Sequence, residues 1–329
     1  MAVDPLRKYL AVAIHDLLAN ETSEFPAAIP LHSALVGPGK ILVDGHGFTW
    51  GMLPVAVARA VEAAPSIVLP LSISAECLMA ALDVLDDMED GDATGALWRS
   101  HGLATAANVS TLLLFLAQTA LGQLAGSVED GCVVAVHALL ARAGVAACIG
   151  QQEDLDFMQR DDFGEEAYLR MVGRKAGALV QYICQAAALV ADGSERQVTA
   201  LAALGHNLGM AMQIANDVAG ASVESERRGD LWTGKRTLPV LFALDAASPE
   251  VAGELRRVLG RGRQGRLSSS DVAWLQTAVE VTGGLEYAMT VADCFRERAL
   301  AQLTDFSFGA VQDLVHLVNG VGDAEPAKG

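Results

Sequence analysis

Two groups of acidic residues lie about 130 positions apart in this 329-residue chain, each within an otherwise apolar stretch. The first group spans residues 83–90 and follows the apolar run 78–82, and the second spans residues 216–224 and follows the apolar segment 208–212. Carboxylates are costly in apolar surroundings unless a positive charge neutralises them. The pattern therefore predicts a hard divalent cation at these residues. An acidic face at the end of an apolar helix also suits a cavity with a charged mouth.

The composition favours helices over strands. Hydrophobic residues make up 52% of the chain and aromatic residues only 5%, with alanine and leucine supplying most of the bulk. Helical periodicity recurs nearly throughout. We therefore predict an all-α bundle with a very apolar centre, formed by residues 1–329 as a single domain, with a disordered tail over 320–329. The predicted helices cover residues 5–20, 54–63, 72–90, 101–124, 130–147, 164–191, 195–221, 237–246, 249–259, 269–281, 285–303 and 308–318.

The charge and the cysteines limit the class of partner. The net charge of −17 argues against nucleic acid, whose phosphates the chain would repel. It does not argue against a phosphorylated small molecule, because bound magnesium can reverse the local sign. The five cysteines are scattered and show no metal-binding spacing, so they are expected to be reduced core thiols. With no signal-peptide pattern at the start of the sequence, we expect a cytoplasmic protein.

The stretch from His101 to Val128 carries no formal charge and is long enough to span a bilayer. Polar residues such as Asn108, Gln118 and Gln123 interrupt it. We therefore expect a helix buried at the centre of the bundle and no membrane span.

The first acidic group has helical spacing. Asp83, Asp86, Asp87 and Asp90 stand at i, i+3, i+4 and i+7, so they share one face of a helix. Magnesium binds carboxylate oxygens and commonly keeps waters that a substrate diphosphate can replace. The alternative for this group alone is a solvated acidic turn.

The second group repeats the pattern. Asn216, Asp217 and Glu224 could place their oxygens around a further magnesium ion. Lys175 and Lys235 would supply direct charge to phosphate oxygens. Either lysine alone would be interpreted as a solvated surface charge, and only the joint pattern favours a site.

Together these segments resemble the trans-isoprenyl diphosphate synthase family, in the right order over about residues 75–245. The matching segments are Asp86-Asp87-Met88-Glu89-Asp90 for DDxxD, Gly150–Leu155 for GQxxDL, Glu165–Lys175 for EEYLxMIxxKT, Gly205–Gln213 for YGxxLGxAFQ, and Gly234–Pro239 for GKxTLP. The resemblance implies an isoprenoid synthase fold, with antiparallel helices around a deep apolar cavity. It also implies a homodimer, with the uncharged helix over 103–124 as the natural surface.

The resemblance further implies three Mg²⁺ ions that clamp an allylic isoprenyl diphosphate between the two acidic groups. The residues it assigns are Asp86 and Asp90 for two of the ions, with Asp87 beside them; Asn216, Asp217 and Glu224 for the third ion; Lys175 and Lys235 for the diphosphate; and Gln213 for the cavity wall. Ala81, five positions before Asp86, is small and would leave room for a farnesyl or geranylgeranyl chain.

Some segments depart from the family pattern. The basic stretch with which elongating members bind isopentenyl diphosphate corresponds to residues 49–54, where the proline remains and the basic residues do not. The later RRGxPT segment retains one arginine, Arg99. Gly220 replaces the last aspartate of the second motif, so Asn216 and Glu224 resemble the metal motif of class I terpene cyclases. Arg170 would then correspond to their diphosphate-sensing arginine.

Three interpretations follow. The first is a prenyltransferase that passes an allylic chain to an acceptor, either isopentenyl diphosphate or a peptide side chain. The second is a terpene cyclase, which needs no acceptor. The third is a non-catalytic subunit of a heteromeric synthase, although such subunits typically lose the aspartates that this chain keeps. The retained Lys175 and the segment 234–239 favour the transferase.

Overall fold

The computed structural model describes residues 5–23, 30–35, 42, 49–89, 97–222 and 229–321. Within these ranges the chain is helical and forms no β-strand, which confirms the all-α prediction. The helices are α1 (Pro5–Glu21), α2 (Leu31–Ala34), α3 (Met52–Ala60), α4 (Leu69–Glu89), α5 (Leu97–His101), α6 (Leu103–Gly122), α7 (Asp130–Phe157), α8 (Glu165–Val172), α9 (Ala178–Val190), α10 (Glu195–Ala221), α11 (Asp230–Thr233), α12 (Leu238–Ala246), α13 (Pro249–Gly262), α14 (Ser269–Val281), α15 (Gly284–Ala301) and α16 (Gln312–Asn319).

The helix boundaries differ from the predicted ones at two places that matter for function. The helix predicted over 164–191 is interrupted by a π-helical turn, Gly173–Gly177, between α8 and α9. The helix predicted to end at residue 147 continues to Phe157, so the GQxxDL segment is helical. Much of the predicted tail, residues 322–329, lies outside the described part of the chain.

The centre of the bundle is formed by α4, α9 and α10. Helix α4 is buried without interruption from Leu71 to Ala81, and α9 packs against both α7 and α10. Helix α10 begins with a capping box in which Ser194 and Gln197 satisfy each other's backbone N–H groups. The aspartate-bearing ends of α4 and α10 are therefore held on helices whose other turns lie in the core.

Helix α6 is not the central helix that its lack of charge predicted. It packs on α4 through one face, which includes Val109 and Leu113, while Leu103 and Phe115 on its other face are 55% and 66% exposed. An uncharged helix can pack on its own chain through one side only, so the prediction of central burial was wrong.

Three segments are long and apolar enough to cross a membrane by length and composition: residues 65–89, 103–122 and 130–157. The most apolar windows of these segments are 72%, 39% and 22% buried within the fold, respectively. The first is thus largely core, whereas the other two leave apolar surface exposed.

Candidate active site

The first acidic group lies on the last two turns of α4. The Asp86 carboxylate is half-exposed and accepts a hydrogen bond from Lys175 Nζ at 2.9 Å. The carbonyl oxygen of Asp87, at the end of the helix, accepts a hydrogen bond from Trp98 Nε1 of α5 at 2.9 Å. Arg99 stacks on the Trp98 ring, with its guanidinium carbon 4.5 Å from the ring centroid. Helix α5 therefore fixes the aspartate-bearing end of α4. Asp90 lies outside the described residues.

The second acidic group is centred on Asp217, which α10 turns into the protein interior. Asp217 is only 6% exposed, whereas its neighbour Asn216 is exposed. The Tyr168 hydroxyl of α8 donates to Asp217 Oδ2. Gln213, one turn earlier on α10, donates from Nε2 to Asp217 Oδ1 at 2.9 Å. Both carboxylate oxygens are thus held in place, as a preorganised ligand requires. Glu224 lies outside the described residues.

Burial controls the protonation of Asp217. It raises the pKa of this carboxyl from 3.8 to about 6, against the opposing effects of Lys235, Tyr168 and Gln213. Burial and the neighbouring Asp217 charge also raise the pKa of Tyr168 well above its usual value, so its hydroxyl remains a donor. The groups around Asp217 therefore do not fully compensate for its burial. A bound cation would stabilise the ionised form of this carboxylate.

A buried carboxylate that the sequence did not single out, Asp154 of α7, joins the two acidic groups. Its Oδ2 atom accepts hydrogen bonds from Lys175 Nζ at 2.9 Å and from Lys235 Nζ at 3.0 Å. Burial alone would raise the pKa of Asp154, but the two lysines outweigh it and lower the pKa below its ordinary value. Burial also tends to lower the pKa of Lys175, but Asp154 and Asp86 raise it overall, so the ammonium stays charged. Ion pairs thus link Asp86 to Lys235 through Lys175 and Asp154. The positive charge of Lys235 in turn acts to lower the pKa of Asp217.

The π-helical turn and a glycine on α7 explain how Lys175 reaches this position. A π turn inserts a residue into a helix and is frequent at functional sites. Here it sets the register so that Tyr168 faces α10 while Lys175 faces α7. A Cβ atom at Gly150 of α7 would lie 2.4 Å from the Lys175 backbone nitrogen. Only glycine permits this approach, and Asp154 follows one turn later on the same face of α7.

Lys235 is fixed by the residues on either side of it. Gly234 has a left-handed conformation, with φ of 73°, which glycine adopts without strain. Arg236 is 6% exposed and forms an ion pair with Asp161 in the loop after α7. Arg263 reaches the same Asp161 oxygen at 2.8 Å. Because these contacts hold the backbone, the Lys235 side chain points at Asp154.

A cavity of about 230 Å³ opens beside Lys175, between α4, α7 and the start of α9. Its apolar wall includes Met79, Leu82, Leu85, Leu155 and Leu179, and its polar part includes Asp83, Asp86, Glu89, Gln151, Lys175 and Gln213. A charged mouth over an apolar wall suits a ligand with a diphosphate head and a hydrocarbon chain.

Two residues that the sequence assigned to substrate lie elsewhere. Ala81 is fully buried and does not line this cavity, and its carbonyl oxygen accepts a hydrogen bond from the Ser110 hydroxyl of α6 at 2.9 Å. Arg170 lies on the exposed face of α8, away from Tyr168, and forms an ion pair with Glu166 at 2.7 Å. The structure therefore does not bring Arg170 into the site, because Tyr168 occupies the inward position on α8.

The oxygen ligands suit magnesium that arrives together with a diphosphate. Among the residues that the structure describes, no three carboxylate, imidazole or thiol groups converge closely enough to hold a metal by themselves. Magnesium usually binds through one or two carboxylates and completes its shell with water and substrate phosphates. Asp86 and Asp217 are the described carboxylates that could serve in this way.

Comparison with known proteins identifies the class. Residues 46–274 match the sequence profile of the family described as Polyprenyl synthetase. The chain is 31% identical over 245 residues to the geranylgeranyl diphosphate synthase of Mycobacterium tuberculosis, covering 72% of this chain and 68% of that protein. It is 28% identical over 308 residues to the short chain isoprenyl diphosphate synthase of Methanothermobacter thermautotrophicus, covering 88% of each.

Solved structures of similar proteins show that the chain has the same fold as they do. A polyprenyl synthase from Caulobacter crescentus, crystallised with calcium and isoprenyl diphosphate, matches with a TM-score of 0.81 at 22% identity, over 96% of this chain and 95% of that one. A geranylgeranyl pyrophosphate synthase from Corynebacterium glutamicum gives 0.80 at 19% identity, over 99% and 100%. The fold is the all-α isoprenoid synthase fold. The chain belongs to the polyprenyl synthetase family, whose members are prenyltransferases.

Proposed function

We propose that this prenyltransferase holds the diphosphate of an allylic isoprenyl substrate between Asp86 and Asp217. The observation that carries the proposal is the meeting of Lys175 and Lys235 at one buried carboxylate, Asp154, beside the apolar cavity. Two ammonium groups in a poorly solvated site interact strongly with diphosphate oxygens. The hydrocarbon chain then extends along the apolar wall of the cavity.

The carbon–oxygen bond of the allylic diphosphate breaks heterolytically, leaving an allylic cation and pyrophosphate. Asp86, Asp90, Asn216, Asp217 and Glu224 would hold Mg²⁺, in up to three ions as the family resemblance implies. When bound, magnesium neutralises the charge that develops on the departing diphosphate.

In this proposal, residues of the chain bind the diphosphate, orient the metal ligand and exclude water. Lys175 and Lys235 donate to the diphosphate oxygens, and Asp154 keeps both side chains oriented before the substrate arrives. Tyr168 and Gln213 hold the Asp217 carboxylate. The apolar wall excludes water that would quench the cation.

Isopentenyl diphosphate is the acceptor that the similar synthases suggest. A peptide acceptor is the second candidate, because residues 49–54 contain no lysine or arginine and the Gly51 N–H donates to the buried Glu76 carboxylate at 2.6 Å. A second diphosphate would need positive donors there. A tryptophan prenyltransferase from Bacillus spizizenii, ComQ, is 29% identical over 177 residues, covering 54% of this chain and 59% of that protein.

Mass spectrometry of the products distinguishes these acceptors. Purified protein receives magnesium and geranyl, farnesyl or geranylgeranyl diphosphate, each with and without isopentenyl diphosphate. We expect a longer prenyl diphosphate only when isopentenyl diphosphate is present. A hydrocarbon or alcohol from one allylic diphosphate alone would identify a cyclase instead. Prenylation of an added tryptophan-containing peptide, with no elongation, would establish the peptide acceptor.

We also propose that a second copy of the chain covers the apolar surface of α6 and α7. Phe115, Val134 and Val145 on these helices are 66%, 69% and 63% exposed, and the most apolar windows of the two helices are only 39% and 22% buried. Large exposed apolar surfaces mark interaction sites. Analytical ultracentrifugation should show a homodimer, and Phe115→Asp with Val145→Asp should yield monomers. Val281→Asp is the matched control, because Val281 on α14 is 80% exposed and lies on a different helix. A wild-type monomer would contradict the proposal.

A further inference from the structure

The π-helical turn that carries Lys175 begins and ends with glycine, at Gly173 and Gly177. Glycine is the weakest helix former after proline, because it has the most conformational freedom to lose. The turn therefore has little intrinsic stability, although Lys175 at its centre must point at Asp86 and Asp154. Contacts from neighbouring helices are needed to keep the turn in place.

Helix α10 packs closely against this turn. A Cβ atom at Gly209 of α10 would lie 2.8 Å from the Ala176 carbonyl oxygen and 3.0 Å from the Gly177 Cα atom. One turn earlier on α10, the His206 ring lies over both glycines of the π turn. A Cβ atom at Gly177 would lie 2.8 Å from the Cε1 and Nδ1 atoms of this ring, and one at Gly173 would lie 3.5 Å from Cε1. The imidazole thus fills the space that two side chains would otherwise occupy.

The His206 ring contributes packing rather than charge. Its Nδ1 atom is buried and has no hydrogen-bond partner among the described residues. Burial also lowers the pKa of the imidazole below its ordinary value, so the ring is neutral at neutral pH. A rigid, neutral ring is suited to hold a backbone turn by contact alone.

We propose that His206 is a positioning residue for Lys175. Its ring packs on the π turn from α10, while Gly150 of α7 lets the Lys175 backbone approach from the α7 side. The turn is thus fixed between two helices, and Lys175 Nζ stays 2.9 Å from both Asp86 and Asp154. Without the ring, the turn and its lysine would gain freedom that diphosphate binding would have to remove. The inference rests on the proposed function.

The first test measures binding of inorganic pyrophosphate in the presence of Mg²⁺, which requires no turnover. Isothermal titration calorimetry should show that His206→Ala binds pyrophosphate about tenfold more weakly, the scale seen when a residue that orients a binding group is lost. His316→Ala, at an exposed histidine on α16, is the matched control and should bind as the wild type does.

A double-mutant cycle with Lys175→Met separates positioning from general stabilisation. Because His206 acts through Lys175, His206→Ala should weaken pyrophosphate binding in the wild type and have little further effect in Lys175→Met. Its effect on the free energy of unfolding should persist in both backgrounds. Equal weakening of binding in the two backgrounds would leave His206 a structural role only and would overturn the proposal.

An exchange of side chains across the contact tests its location. Gly177→Ala alone should weaken pyrophosphate binding, because its Cβ collides with the His206 ring. Combining Gly177→Ala with His206→Ala places a methyl group where the ring was and should recover most of the affinity. This pair keeps the proposal testable if His206→Ala melts at a much lower temperature.

The outcomes separate this inference from the proposed function. Unchanged pyrophosphate binding by His206→Ala, with binding weakened in Lys175→Met, would overturn the role of His206 alone. Failure of the exchange variant to recover affinity, when it melts like the wild type, would do the same. Unchanged binding by Lys175→Met, or no magnesium-dependent pyrophosphate binding by the wild type, would instead overturn the proposed function itself.

Discussion

The buried Asp217 carboxylate should destabilise the fold of the metal-free protein, and this cost can be measured. In the folded protein its pKa is about 6, compared with an ordinary value of 3.8. That difference corresponds to about 3 kcal/mol. Because the folded-state pKa is raised, protonation of Asp217 favours the folded state. This contribution to stability is complete below the ordinary pKa and is lost as the pH rises through about 6. Metal-free protein should therefore lose stability between about pH 4 and pH 7.5 on account of this residue.

The variant Asp217→Asn isolates the effect, since asparagine does not titrate. We would measure the free energy of unfolding of both proteins by urea titration, in chelator, at several pH values from about 4 to 7.5. As the pH rises, the free energy of unfolding of the variant should increase relative to that of the wild type by about 3 kcal/mol. Adding magnesium and pyrophosphate at neutral pH should stabilise the wild type and leave the variant unchanged.

Parallel stability curves would refute the reasoning. A constant offset between wild type and variant would mean that Asp217 titrates near its ordinary pKa in the folded protein. The carboxylate would then be solvated, and the Tyr168 and Gln213 contacts would not define a buried metal ligand. Asp245→Asn, at an exposed position, should follow the wild-type curve throughout.

Three further predictions test the supporting structure. Gly150→Ala should destabilise the protein by about 1–3 kcal/mol and reduce turnover, because its Cβ would displace the Lys175 backbone. Denaturation and single-turnover assays measure both effects, and wild-type values for both would contradict the close approach. Trp98→Phe removes the hydrogen bond to the Asp87 carbonyl, so the free energy of unfolding should fall by only about 1 kcal/mol. The Mg²⁺ concentration for half-maximal turnover should rise, and an unchanged magnesium dependence would argue against a positioning role for Trp98. Asp154→Leu removes the buried carboxylate that Lys175 and Lys235 share, and leaves Lys175 with the half-exposed Asp86. It should cost about 3–5 kcal/mol at neutral pH, and a cost below about 1 kcal/mol would show that other groups neutralise the lysines.

The helices were largely predictable because their signals are local. Helix α10 begins and ends where the sequence predicted, since Ser194 and Gln197 form a capping box ahead of a long helical pattern. The π turn was not predictable. It packs its Lys175 backbone against Gly150, more than 20 residues away, and such a tertiary contact leaves no local signal in the sequence. The exposure of α6 was missed for a related reason. Apolar composition is the same whether a helix is covered by its own chain or by another surface.

The candidate site was predictable where charge and spacing coincide. Asp86, Lys175, Asp217 and Lys235 were assigned from their motifs. The structure links Asp86, Lys175 and Lys235 by ion pairs through Asp154, and the charge of Lys235 acts on Asp217. Asp154 lay inside a recognised segment, but its central position depends on two lysines from distant helices meeting at one oxygen.

In the proposed site, both acidic groups and both lysines bind one diphosphate together with magnesium. A crystal structure with Mn²⁺ and an unreactive thio-analogue of an allylic diphosphate tests it most directly, because anomalous scattering locates the metal. We predict metal peaks between the diphosphate and Asp86 on one side and Asp217 on the other, with Lys175 and Lys235 on diphosphate oxygens and the prenyl chain along Met79 and Leu82. A diphosphate bound away from these residues, or one that binds there without metal, would contradict the account.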